Sequence, residues 1–276
     1  MINKNYMIDL CNQIFKDMGR YPTGKVTPLE DINGCLSIIT LKITNKIISI
    51  NQPYIFPYIG YFQLLQASDT FIIYDDVNFI KQGWVQRNRV AHKEEPILFT
   101  IPLSKPSQNN LINETLIHES YAHWKQKFQK SLTHCYGQTN SEVHNLVDSI
   151  LISCKPGDSI DKLCRNALYQ IKDYLQADWT IVDSSSVYNN SNLKGPDRII
   201  DICQQEQATH YVNAIGGIEL YNPENFKSKN INLQFIKKGC LSNNLSILDS
   251  LFRFQPCEIR AFLDDYQLIE ADKCPE

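Results

Sequence analysis

Two adjacent carboxylates, Asp75 and Asp76, close an apolar run, and a stretch rich in polar and cationic side chains follows them: Asn78, Lys81, Trp84, Gln86, Arg87, Asn88 and Arg89. A carboxylate at a strand end can take a proton from an attacking nucleophile. If the strand continues through both acids, alternation sends them to opposite sides. One would then serve as a base or metal ligand, and the other would orient a cation or cap a loop. Arg87 and Arg89 lie two apart and share a face in an extended segment. That spacing suits a forked clamp on phosphate or carboxylate. The plainer alternative is a solvated hairpin with weak surface ion pairs.

A second stretch is "INQPYIFPYIGYF", residues 50–62, which carries no formal charge. It leaves one apolar run and opens a helix. Ligands of open α/β sheets bind beyond the carboxyl ends of strands, and free N–H groups at a helix start favour anions. Pro57 can seat the first turn, and Gly60 permits a close backbone approach. Gln52, Pro53, Tyr54 and Tyr61 would shape the same pocket. A corner simply packed with aromatics and prolines is the competing reading. Gly216 follows a short strand, where backbone can line a pocket. Asp249 falls in the first turn of a helix that Ser246 can cap. The six histidines are scattered, and catalytic triads assemble in space, not in spacing. No motif identifies a cofactor, and no clustered ligands call for a metal.

These side chains need elements to hold them. "KIISIN" and "TFIIYDD" (70–76) read as strands flanking a helix over Tyr58–Ala67, the length of a βαβ unit. "PILFTIPL" (96–103), "ADWTIVDS" (177–184) and "THYVNA" (209–214) are further strands. "INLQFIK" (231–237) alternates like a half-solvated edge strand. Helices are expected over 7–18, 120–135, 141–153, 159–175 and 196–205, with two closing helices, "SILDSLFRF" and "EIRAFLDDY". The polar loop "SSSVYNNSN" (184–192) follows a strand and can line a site. The class is α/β: a mainly parallel, Rossmann-like sheet flanked by helices, with a helical C-terminal part. Residues 1–45 read as an extension before one α/β domain over 46–276.

Composition bounds the function. Net charge over the 276 residues is −3, which argues against a broad nucleic-acid footprint. The nine cysteines are scattered and odd in number, as for reduced, packed thiols. There is no run of eighteen apolar residues to span a membrane and no continuous apolar core of a signal peptide at the start. A cytoplasmic protein acting on small molecules is the expectation.

Taken together, "QPYIFPYIGYF", "YDDVNFIKQGWVQRNRV", Trp124 in a basic helix, "YVNAIGGIELY" and "LSILDSLF" resemble the WbqC-like protein family in the order of its blocks, over about residues 46–253. The chain departs at Asn78, where the family tends to carry Gln, and at Ala214-Ile215, where it tends to carry Ser-Gly. The resemblance implies a place in O-antigen and related surface-polysaccharide synthesis. It suggests transfer of an acyl or aminoacyl (glycine-type) group to an amino sugar carried on a nucleotide, with an acyl donor or a carrier protein as partner. In that reading Arg87, Arg89 and Lys81 hold the diphosphate, and Asp75 or Asp76 accepts the amine's proton. Two other readings stand beside it. One is a nucleotidylyl transferase or ligase, suggested by the strand–loop–helix start but lacking that group's two-histidine signature. The other is a non-catalytic carbohydrate binder that stacks sugars on Tyr54, Tyr58, Tyr61 and Trp84.

Overall fold

The computed structural model describes residues 45–93, 95–239 and 244–271. The helix expected over 7–18 lies outside them. Six strands form one sheet: β1 (Ile47–Asn51), β2 (Thr70–Ile73), β5 (Ile181–Val182), β6 (His210–Ala214), β7 (Asn232–Lys238) and β8 (Tyr266–Glu270), in the order β5-β2-β1-β6-β7-β8. All pairings are parallel except β7 with β8. A separate antiparallel ribbon pairs β3 (Arg87–Val90) with β4 (Ile97–Thr100).

Helices cover both faces. In β1, Ile48 and Ile50 turn to a core shared with α5 (Gly195–Gln205) and α6 (Pro223–Lys227). In β2, Phe71 and Ile73 turn to a larger core. That core holds α1 (Ile59–Ala67), α2 (Tyr121–Tyr136), α3 (Ser141–Ile152), α4 (Ile160–Leu175), α7 (Ile247–Arg253) and α8 (Pro256–Asp264). Strand alternation therefore sorts apolar side chains to two layers, as doubly wound sheets require. α1 is buried almost all round, with eight of its nine residues interior, Gln63 among them. It is fixed where Gln63 Nε2 donates to the carbonyls of Phe262 and Asp265 at 2.8 and 2.9 Å.

Three expectations need correction. "PILFTIPL" does not join the main sheet; it pairs with β3, whose "RNRV" has too little apolar content to announce a strand. β7 is not an edge, because β8 covers it. And β2 stops at Ile73, so Asp75 and Asp76 stand past the strand rather than within it.

Candidate functional site

The chain runs from β1 through β2 to β5 on one side, then crosses to β6 on the other side of β1. The switch lies between β1 and β6, and the segments leaving the strand ends there are where an open sheet receives ligands. Beyond β2, Asp75 is buried, at 2% exposure. Its Oδ1 accepts from Ser184 Oγ at 2.7 Å, from the Ser185 amide at 3.2 Å and from Ser185 Oγ at 3.5 Å. All these bonds fall on Oδ1, and none of them reaches Oδ2. Burial pushes this carboxyl above its ordinary range, and the charges of Asp161 and Asp76 add to the rise against the pull of the Ser184 bond.

Asp76 has a different partner. Its Oδ2 meets Arg198 Nη2 at 2.6 Å, with both side chains nearly buried. Its Oδ1 accepts from Ser185 Oγ. Arg198 also donates to the Asp76 carbonyl (3.3 Å) and to Asn190 Oδ1 (2.8 Å), and it lies 5.0 Å from the centre of the Tyr74 ring. Asn190 in turn donates to Asp201. The two acids were expected to diverge; instead both reach Ser185, because the strand geometry ends two residues earlier. Asp76 is thus held as an ion pair, whereas Asp75 is held by hydroxyl and amide donors.

A third acid belongs to this corner. The Asn113 amide donates to the Asp75 carbonyl at 3.1 Å, and Ile160 donates to Thr115 at 2.9 Å. These bonds lay the start of α4, with Asp161, beside Asp75. Asp161 is 3% exposed; its Oδ2 lies 3.4 Å from Arg165, while its Oδ1 has no partner. The Asn113 side-chain oxygen is likewise buried and unpartnered. Buried acceptors are rarely left unmet, so the corner is rich in oxygens suited to N–H donors. Among the described residues, no group of three or more His, Cys, Asp or Glu is placed to share a metal ion.

The aromatic loop after β1 divides in two. Gln52, Tyr54 and Tyr58 are half-buried, while Pro53, Ile55, Phe56, Pro57, Gly60 and Tyr61 are interior. Phe56 has φ of 43°, and its carbonyl is taken by Asn88 Nδ2 (2.7 Å) and Ser246 Oγ (2.7 Å). The Ile247 amide donates to Pro57 O, and the Tyr61 hydroxyl to Gln52 O. The start of α1 is thus covered by residues 246–247, and the expected open anion cradle is not there. Pro53, Pro57, Gly60 and Tyr61 shape the corner from inside. Burial raises Tyr54 to about 12, with Tyr58 adding to the shift, so its hydroxyl stays a neutral hydrogen-bonding group.

Asn88 is also interior, a clasp between β3 and this loop. Arg87 and Arg89 point the other way. Each guanidinium carbon lies 5.4 Å from the Trp84 ring centre, and among the described residues neither has a carboxylate partner. No hydrogen bond or ion pair joins them to Asp75 or Asp76, so the segment expected as one polar wall is two separate features. Lys81 and Asn78 are exposed. Trp84 lies on the ribbon and Tyr61 in the core, so the four aromatics expected to stack sugars do not form one surface.

The remaining residues resolve simply. A Cβ on Gly216 would meet nothing, whereas one on Gly217 would press Asn213 Nδ2 at 3.1 Å. Asp249 accepts from Tyr136 (3.2 Å) and Arg253 (2.9 Å), and Ser246 caps its helix through the Leu248 amide. Asp249 is therefore engaged in holding α7. A groove of about 400 Å³ on α2, lined by Gln126, Gln129, Lys130, Thr133 and Gln138, shares no residue with the strand ends. Arg198 and Asp161 escaped the sequence reading, yet each had a signal: a charge on the apolar stripe of its helix, beside Ile199 and Ile202 or Ile160 and Cys164.

A model of the WbqC-like protein family matches residues 52–261. An uncharacterized protein of Mycobacterium tuberculosis, Rv1507c, is 30% identical over 173 residues, covering 61% of this chain and 72% of that protein. No solved structure matches the chain.

Proposed function

The chain belongs to the WbqC-like protein family, and on that premise we propose that it is a transferase of bacterial surface-polysaccharide synthesis. It moves an acyl or aminoacyl group onto the amine of an amino sugar, carried on a nucleotide. The observation that carries this reading is Asp75. It is buried just past a strand end, its Oδ1 is fixed by Ser184 and Ser185, none of those bonds occupies its Oδ2, and Asn113 and Asp161, each with an unpartnered oxygen, belong to the same corner. An acceptor-rich corner suits an amine, and a carboxyl with a raised proton affinity suits a general base. As the amine nitrogen bonds to the donor's carbonyl carbon, the bond to the leaving group breaks and Asp75 takes the nitrogen's proton. Gln52 and Tyr54, half-buried at the end of β1, line the acceptor side. Arg87, Arg89 and Lys81 belong to the separate β3–β4 segment and are given no part in binding the amino sugar.

Nucleotidylyl transfer finds less support, because the α1 start that would cradle phosphate is covered. The test is a transfer assay with a panel of nucleotide amino sugars and activated acyl donors. Asp75→Asn is expected to lower kcat about a hundredfold or more, the range for loss of a general base. An unchanged kcat in Asp75→Asn would remove the base, and no transfer by the wild-type protein across the panel would remove the reading.

A further inference from the structure

We infer that the outward face of the β3–β4 ribbon docks an acidic-surfaced carrier protein that delivers the acyl group as a thioester. This deepens the transfer reading and rests on it. In β3 the inward residues are Asn88 and Val90, both buried; in β4 the inward residue is Phe99. Arg87 faces Thr100 and Arg89 faces Leu98, so these four share the outward side. Trp84 lies against both guanidinium groups and keeps 39% of its surface exposed.

The turn before Trp84 extends the face. The Gly83 amide donates to Ile80 O at 3.0 Å, and a Cβ on Gly83 would meet that oxygen at 2.9 Å and Ile80 Cβ at 3.3 Å. Only glycine lets Ile80 come so near, and Gln82 takes a left-handed φ of 61° to close the turn. Arg87 pins the turn by donating to Gln82 O, a neutral group that leaves its charge uncompensated. Ile80 and Leu98 are 55% and 47% exposed, and Lys81 is exposed as well.

The result is a cationic, aromatic and aliphatic face on a chain of net charge −3. Small-molecule sites are concave, whereas this face is the outer side of a two-stranded ribbon. Trp and Arg with exposed aliphatics are the composition of protein-interface hot spots. Unpaired cations select an acidic partner and speed its approach. Asn88 and Phe99 hold the ribbon from behind, so little ordering is needed on docking. In the reaction so served, the amine nitrogen bonds to the thioester carbon, the C–S bond breaks, and the proton taken from nitrogen by Asp75 is passed to the departing carrier thiolate.

The experiment uses the full chain, a purified bacterial acyl carrier protein loaded with a glycyl thioester, and UDP as a separate probe. Binding is measured by calorimetry at low and high salt. Wild type is expected to bind the carrier, more weakly in high salt. The pair Arg87→Glu with Arg89→Glu should weaken carrier binding about tenfold or more, and Trp84→Ala should weaken it too. Lys130→Glu on α2 should not. Circular dichroism confirms that each variant folds. Failure of wild type to bind, or equal binding by the charge-reversed pair, would overturn the proposal, as would a loss of UDP binding instead of carrier binding. Transfer is assayed with the carrier and with a small free glycyl thioester. Loss of transfer from the carrier alone in the charge-reversed pair supports docking. Carrier binding without transfer from either donor leaves docking standing and removes the transfer reading.

Discussion

The ends of β2 and the face of β3 lie within one short run of sequence, and both are charged, yet they handle charge in opposite ways. At the β2 end, Asp76 is buried against Arg198, and the pair is enclosed by Ser185, Asn190 and Tyr74. On β3, Arg87 and Arg89 share an exposed indole, and among the described residues neither meets a counter-ion. Desolvated charges must be matched within the fold, because an uncompensated one is expensive. Solvated charges need no partner in the chain and remain available to another molecule. The contrast separates groups that hold the fold from groups left to solvent, and Asp75 sits between the two, buried but with its side-chain bonds to Ser184 and Ser185 on one oxygen only.

The contrast is tested most severely at Arg198. Arg198→Met leaves Asp76 buried and unpaired, with an expected loss of about 3–5 kcal/mol by urea unfolding. A loss near zero would mean that water reaches Asp76 and the enclosure is open. Asn88→Ala strips a partner from the buried Phe56 carbonyl and from the Arg89 amide, for about 1–3 kcal/mol by the same method. Asp75→Asn tests the middle case through pH. The folded carboxyl has a raised proton affinity, so its contribution favours folding below the ordinary carboxylate range and is lost as pH rises through the folded value. The asparagine variant should therefore match or exceed wild-type stability at neutral pH, with the gain shrinking in acid; a variant less stable at neutral pH than in acid, relative to wild type, would contradict this. Trp84→Ala should change stability by no more than about 0.5 kcal/mol, as for a surface site, and thermal melts suffice to check it.

Much of the sheet was legible. β1, α1 and β2 are continuous apolar runs broken by Asn, Pro, Ser and Asp, and a parallel strand buried on both faces reads that way. β8 was not, because "YQLIE" follows α8 after Asp265 alone and reads as more helix. "RNRV" was not, because a ribbon that buries one face needs few apolar residues on the other. At the candidate site, Asp75 and Asp76 were singled out together from their type and their place at a strand end. Their neighbours Ser184 and Ser185 open the polar loop expected to line a site, though neither residue was singled out. Asp161 and Arg198 come from helices far along the chain, and nothing in local spacing states which strand end a helix start will meet.

The placement of β1 has a consequence for how the molecule is made. One edge of β1 is covered by β2 as soon as residue 73 is available, but the other waits for β6, beginning at His210. On the ribosome, an apolar strand with an open hydrogen-bonding edge must persist until that late segment emerges. Gln63 likewise finds its carbonyl partners only when Phe262 and Asp265 have been synthesised. Chains that stall between these points would present the central strand as a template for a second nascent chain, so synthesis speed and chaperone supply, as much as final stability, should govern the yield of native protein.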